Sequence, residues 1–170
     1  MNKILYDQDE NIANWIMNQL SYITDFGSNY RAYGITRSGK LIAGIAFHDY
    51  NPTYQVMQFT VAATSPYWAH PNIIDYFMKY VFEKANVHRV HTYTYIGNEK
   101  AIKMLLHVGF KQEAVMDSFY GRSYHGVGFR LLRTEYAQRY YGNKNKFRER
   151  DQILPPPMKM PELMEAPDGR

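Results

Sequence analysis

The sequence predicts one mixed α/β domain, of the α+β kind, whose central sheet combines antiparallel and parallel strands. Three strand-like runs follow one another between Tyr30 and Ala63, separated only by tight turns. From Pro71 onward the apolar spacing switches to the helical period, then alternates between strand and helix patterns. The resulting order, β-α-β-β-β-α-β-α-β-β, joins a meander to strand–helix–strand connections, and that combination requires a mixed sheet.

The elements follow in order. A short apolar start at Ile4-Leu5-Tyr6 gives a first strand, and Ile12, Trp15, Ile16, Leu20 and Ile23 then recur at helical spacing, with Asp7 or Asp9 available as the cap. Gly27-Ser28-Asn29 breaks that helix. Tyr30 to Thr36 reads as a strand and Arg37-Ser38-Gly39-Lys40 as a tight turn, since Gly39 takes positive φ without steric cost. Leu41 to Phe47 is a continuous apolar run, the mark of a strand covered on both faces. Asn51-Pro52 turns the chain into a strand from Tyr54 to Ala63.

The second half begins with Pro71 at a first helical position, where its missing N–H has no partner to lose. Ile73, Ile74, Phe77, Val81, Phe82 and Ala85 form the apolar stripe; Asp75, Lys79 and Glu83 lie opposite, four residues apart. Val87 to Tyr95 alternates and is rich in β-branched and aromatic residues. Asn98 caps a helix carrying Ala101, Ile102, Leu105 and Leu106, and Gly109 closes it. Phe110–Asp117 and Gly126–Arg133 are the last strands. The domain is expected over residues 1–142. Residues 143–170, basic and then proline-rich, cannot build a core; alone they read as an extended arm, and such an arm is also suited to docking on a protein partner.

Composition excludes several functions. The chain of 170 residues has no cysteine, so disulfides, thiolate metal sites and a cysteine nucleophile are ruled out. No apolar run nears the ~20 residues of a membrane span, and the N-terminus meets acidic residues too early for a signal peptide, so a cytoplasmic location is expected. A net charge of +4 does not by itself call for nucleic acid. His88 and His91 sit three apart in a strand and face opposite sides, so no metal site is expected. Tyr76, Tyr80, Tyr93 and Tyr95 fall on separate elements and read as core-and-rim residues rather than a base-stacking platform.

Asn98-Glu99-Lys100-Ala101 through Leu105, followed by Gly109-Phe110 and a strand with Glu113, resembles the N-x-x-A…G-F segment of the GCN5-related N-acetyltransferase superfamily. The ending Phe129 to Tyr136 is similar to that family's last strand. Trp68 ahead of the long helix and Arg133-Thr134-Glu135 resemble a subgroup common in phage and prophage genomes. The resemblance covers roughly residues 3–136. It implies a three-layer fold with a mixed, mostly antiparallel sheet whose Tyr54–Ala63 and Val87–Tyr95 strands splay apart. Acetyl-CoA would lie in the gap, its pantetheine arm meeting the backbone of Phe59, Val61 and Ala63 as an added strand would. The backbone amides around Val61–Ala63 would polarise the thioester carbonyl. Trp68, His70, Asn72, Asn98 and Lys103 are the further cofactor-binding candidates.

The sequence also departs from the family pattern. Between Thr64 and Asn72, where a glycine-rich phosphate cradle is expected, there is no glycine and there are two prolines, which remove N–H donors. The position where many members carry a catalytic tyrosine is Leu105, and Tyr54–Ala63 contains no carboxylate. His48, Asp49 and Tyr95 are the candidates for proton transfer. Two functions remain open at this level. One is acetyl-CoA-dependent N-acetylation of an amine on a small molecule or protein. The other is a fold retained without catalysis as a structural piece, for example in a phage particle.

Overall fold

The structure, a computed structural model, describes residues 2–142. The arm expected over residues 143–170, with its docking role, lies outside the described residues. Within them, seven strands form one sheet: β1 (Asn2–Leu5), β2 (Arg31–Arg37), β3 (Lys40–Asn51), β4 (Val56–Ala63), β5 (Arg89–Tyr95), β6 (Lys111–Met116) and β7 (Gly126–Leu132). Their spatial order is β1-β2-β3-β4-β5-β7-β6, and every neighbouring pair is antiparallel except β4–β5. Helix α1 (Asp9–Gln19) covers one face; α2 (Pro71–Lys79), α3 (Glu99–Val108) and α4 (Arg133–Tyr141) cover the other. This is the three-layer mixed sheet that the sequence predicts.

The turn chemistry works as expected at Gly39 (φ 77°), joined there by Ser38 (φ 50°), and at Gly109 (φ 112°), whose N–H closes α3 on Leu105 and Leu106. Four expectations need correction. Helix α1 ends at Gln19, so Leu20 and Ile23 lie beyond it. Neither Asp7 nor Asp9 caps it: the Asp9 carboxylate instead accepts the Ala32 N–H at 2.7 Å and pairs with Arg31 at 3.3 Å, tying α1 to β2. The stripe from Pro71 is not one helix but α2, preceded by a 3-10 turn (Pro66–Ala69) and followed by a π-helical turn (Tyr80–Lys84). Finally, Arg133–Tyr141 is helix, where a strand ending was expected through Tyr136.

Two glycines decide how closely α1 lies on the sheet. A Cβ at Gly44 would come within 2.6 Å of Ile16, and one at Gly34 within 2.7 Å of Ile12. Ala32, Ala46 and Ala62 complete this shallow bed, so α1 presses its buried Ile12, Ala13 and Ile16 against nearly bare backbone. Gly44→Val is therefore expected to destabilise the fold by about 1–3 kcal/mol through overpacking. Urea unfolding should show a lower midpoint at unchanged slope; an unchanged midpoint would mean that α1 is not held this tightly.

Candidate functional site

The site begins with a break in the sheet. Strands β4 and β5 pair over only three rungs, Val56↔Arg89, Met57↔Val90 and Gln58↔His91, and then separate. Strand β4 stays paired with β3 through Ala63, and β5 with β7 through Tyr95. The Thr64 N–H donates to the Ile42 carbonyl at 2.9 Å, which sets the phase of the β3–β4 ladder. In that phase the even-numbered residues of β4 bond β3. The N–H and C=O groups of Val61 and Ala63 point instead toward the side from which β5 has withdrawn, and Phe59 is the first residue beyond the last rung.

A cavity of about 1180 Å³ fills the opening, somewhat larger than the ~300–1,000 Å³ common for ligand pockets. It draws its lining from both faces of the sheet. Phe59, Val61, Trp68, Asn98, Lys100 and Leu105 line it from the α2–α3 side. His48, Asp49, Thr60 and Tyr93 line it from the α1 side, together with Tyr22 and Asp25 from the segment after α1.

On the α1 side three residues form a chain. His48 Nδ1 lies 2.9 Å from Asp49 Oδ2, and His48 Nε2 lies 3.0 Å from Thr60 Oγ1. A carboxylate only accepts, so Nδ1 carries the proton and Nε2 is left to accept from the Thr60 hydroxyl. Asp49 reaches the ring of its own neighbour because its backbone is left-handed (φ 51°), a conformation that aspartate tolerates better than most residues. His48 is buried, with the Phe26 ring 5.0 Å away. Burial pushes its imidazole below the ordinary value, and the hydrogen bond and charge of Asp49 pull the other way without overcoming it. The ring is therefore neutral near pH 7 and able to take a proton.

The other expected residues are distributed unevenly. Phe59, Val61, Ala63, Trp68 and Asn98 line the cavity, as do His48 and Asp49. Asn98 caps α3, its Oδ1 accepting from the Ala101 N–H at 3.3 Å while its Nδ2 donates to Thr94 Oγ1 at 3.2 Å. His70, Asn72, Lys103 and Tyr95 are not among the lining residues. Lys103 pairs with Glu99 at 3.2 Å on the exposed face of α3, and Tyr95 faces the Tyr124 ring at 5.8 Å. The start of α2 is closed by its own residues: the Asn72 N–H donates to His70 Nδ1 at 3.3 Å, and the Ile73 N–H to the His70 carbonyl at 2.9 Å. With Pro71 lacking an N–H, the donors that would receive an anion there are already used.

Sequence reasoning missed Thr60, Lys100 and the residues that roof the α1 side, Tyr22, Phe119 and Tyr120. Thr60 was legible in part: His48 pairs with Gln58 across β3–β4, so the residue two further along shares its face. Among the described residues Lys100 is the only lysine or arginine lining the cavity, one turn before the Lys103 that the sequence suggested. Among the described residues no cluster of three or more His, Cys, Asp or Glu is placed to hold a metal, and no helix is long and apolar enough to cross a membrane.

No protein-family model and no curated protein matches the chain. Solved structures do. Mutant forms of the spermidine/spermine N-acetyltransferase SpeG from Vibrio cholerae align with a TM-score of 0.69 at 14% identity, covering 82% of this chain and 99% of theirs. The manganese complex of the same enzyme gives 0.66 at 15% identity, covering 82% of this chain and 96% of that one. Its dodecameric form in an intermediate state gives 0.65 at 14% identity, over 82% and 98%. At such identity the likeness is one of fold: this chain has the architecture of the GCN5-related N-acetyltransferases.

Proposed function

We propose that this chain transfers an acetyl group from acetyl-CoA to an amine, using the opening between β4 and β5 as the meeting place. One observation carries the reading: the two strands part after three rungs, and the cavity there is reached from both faces of the sheet. The backbone of Val61 and Ala63 has the spacing to bind the pantetheine arm as an added strand. Asn98 and Lys100 stand where the α3 side of the cavity opens, and Lys100 supplies a positive charge for phosphate. Acetyl-CoA, when bound, supplies the activated acyl group; the chain's own residues position it and move protons.

The incoming ammonium must lose a proton before it can attack. Thr60 Oγ1 presents the open end of the Thr60–His48–Asp49 chain, so a proton leaving the amine passes to the threonine oxygen as the threonine proton moves to His48 Nε2. Asp49 then stabilises the imidazolium through Nδ1. The slot-facing N–H groups of β4 are the donors for the negative charge that develops on the carbonyl oxygen.

Acetyl-CoA is expected to raise the melting temperature by mass action, about 2.7 kcal/mol of stabilisation at a hundredfold excess over Kd. No shift at millimolar acetyl-CoA sinks the proposal. A second reading rests on the closed start of α2, where the N–H groups of Asn72 and Ile73 are already engaged by His70. It is a fold kept as a structural or interaction piece, for example in a phage particle. Absence of the acetyl-CoA shift, together with a solution mass far above 20.0 kDa, is the result that this second reading expects.

A further inference from the structure

The α1-side arm of the cavity has chemistry of its own, and we infer that it receives a primary amine carried on a flat aromatic stem without a carboxylate. This inference rests on the acetyl-transfer reading of the same cavity and names its acceptor. Four rings from three parts of the chain form a continuous wall. Tyr22 meets Tyr120 edge-on at 4.9 Å, Tyr120 meets Phe119 at 4.9 Å, and Phe119 meets Tyr93 at 5.4 Å. Tyr22 and Tyr120 also share a hydrogen bond, which joins the segment after α1 to the β6–β7 loop across the arm.

The wall stands where it does because β7 is bare beneath it. A Cβ on Gly126 would come within 2.9 Å of Phe119, and one on Gly128 within 3.3 Å of Tyr93. Both rings thus lie on glycine backbone, with their outer surfaces left for a ligand. Tyr22 and Phe119 are about half exposed although they lie on this wall. Ring faces carry negative potential and attract a cation or a second ring, in offset or edge-on contact.

The charges lining the cavity are segregated in the same sense. Among the described residues, Asp25 and Asp49 are its only carboxylates, both on the α1 side, and its one lysine, Lys100, belongs to α3. An anion on the acceptor would face two carboxylates and the ring faces. A single ammonium meets a carboxylate and aromatic carbon. A long polycation would need an acceptor for each further ammonium, and no other carboxylate among the described residues lines the cavity.

The experiment compares three ligands on the full chain in the absence of acetyl-CoA, by calorimetric titration. 2-Phenylethylamine is expected to bind about tenfold or more tighter than phenylalanine, which has the same stem plus a carboxylate, and than spermidine, which has no ring. Phe119→Ala should weaken the phenylethylamine affinity about tenfold and leave the melting shift with acetyl-CoA unchanged. Equal or tighter binding of phenylalanine or spermidine, no binding of phenylethylamine at millimolar concentration, or an unaltered affinity in Phe119→Ala each overturns the inference. Because the titration contains no acetyl-CoA, these results are independent of whether the cofactor reading holds.

Discussion

Changing His48 to glutamine is expected to slow acetyl transfer about 10²- to 10⁴-fold, the range for losing a positioned general base. Glutamine keeps hydrogen-bonding capacity toward Asp49 and Thr60 but cannot take up a proton near neutrality. The effect should therefore fall on kcat while the melting shift with acetyl-CoA persists. The pH profile gives an independent reading of the same residue. Burial holds the folded pKa of His48 below its ordinary value of about 6.5, so the neutral, competent form is already dominant at pH 6.5. The acidic limb of the rate should lie below that value and disappear in the variant. Stability follows the same sign: with a depressed folded pKa, the contribution of neutral His48 is complete above the unfolded value and is lost as pH falls through the folded one. His91, on β5, with β4 between it and the strand of His48, is shifted in the same direction by burial and by Arg89, so the His48 effect is read as a difference between wild type and variant. A variant with wild-type kcat and an unmoved acidic limb would remove His48 from the mechanism. Thr60→Val should reproduce the kcat loss and Thr60→Ser should restore it, because only the hydroxyl is needed for the relay.

Tyr136→Ala should be the most damaging substitution for the fold, costing about 3–5 kcal/mol, the range for truncating a large buried aromatic. Tyr136 is fully buried, and its ring stacks on Phe82 at 4.9 Å, 22° from parallel. Among the described side chains of α4, only Tyr136 and Arg133 are buried. Arg133 Nε donates to the Val87 carbonyl at 2.9 Å and its backbone N–H to the His88 carbonyl at 2.9 Å, fastening the start of α4 to the turn before β5. Glu135 accepts the Leu132 N–H at 3.2 Å and pairs with Lys111 at 2.7 Å and with Arg130. With Tyr136 removed, these polar contacts hold a helix that has lost its apolar anchor. Denaturant unfolding measures the loss directly; a change under about 1 kcal/mol would show that α4 packs without depending on Tyr136.

Helix α4 also shows where sequence reading stops. Its stretch, Arg133-Thr134-Glu135-Tyr136-Ala137-Gln138-Arg139, has no apolar stripe, and it follows β7 without a glycine or proline to mark the change. Such a segment becomes helical because one tyrosine finds the gap beside Phe82, a tertiary event that overrides weak local preference. Asp9 is a parallel case. Its position suited a cap, yet a nearer use for its carboxylate existed on β2, which lies more than twenty residues away in sequence.

By itself the sequence determined the order of strands and helices as far as β7, the tight turn at Gly39, the closure of α3 by Asn98 and Gly109, and the family resemblance of the segment between them. Each is a short-range matter: period, cap and positive φ are settled by residues within a turn or two of one another. The tertiary structure decided how far β4 and β5 stay paired before they part, that the Thr60 hydroxyl meets His48, that the start of α2 is closed by His70, and that four rings meet over the cavity. Those depend on register and on how far two strands diverge, and both are set by packing across the sheet rather than by any residue's own preference.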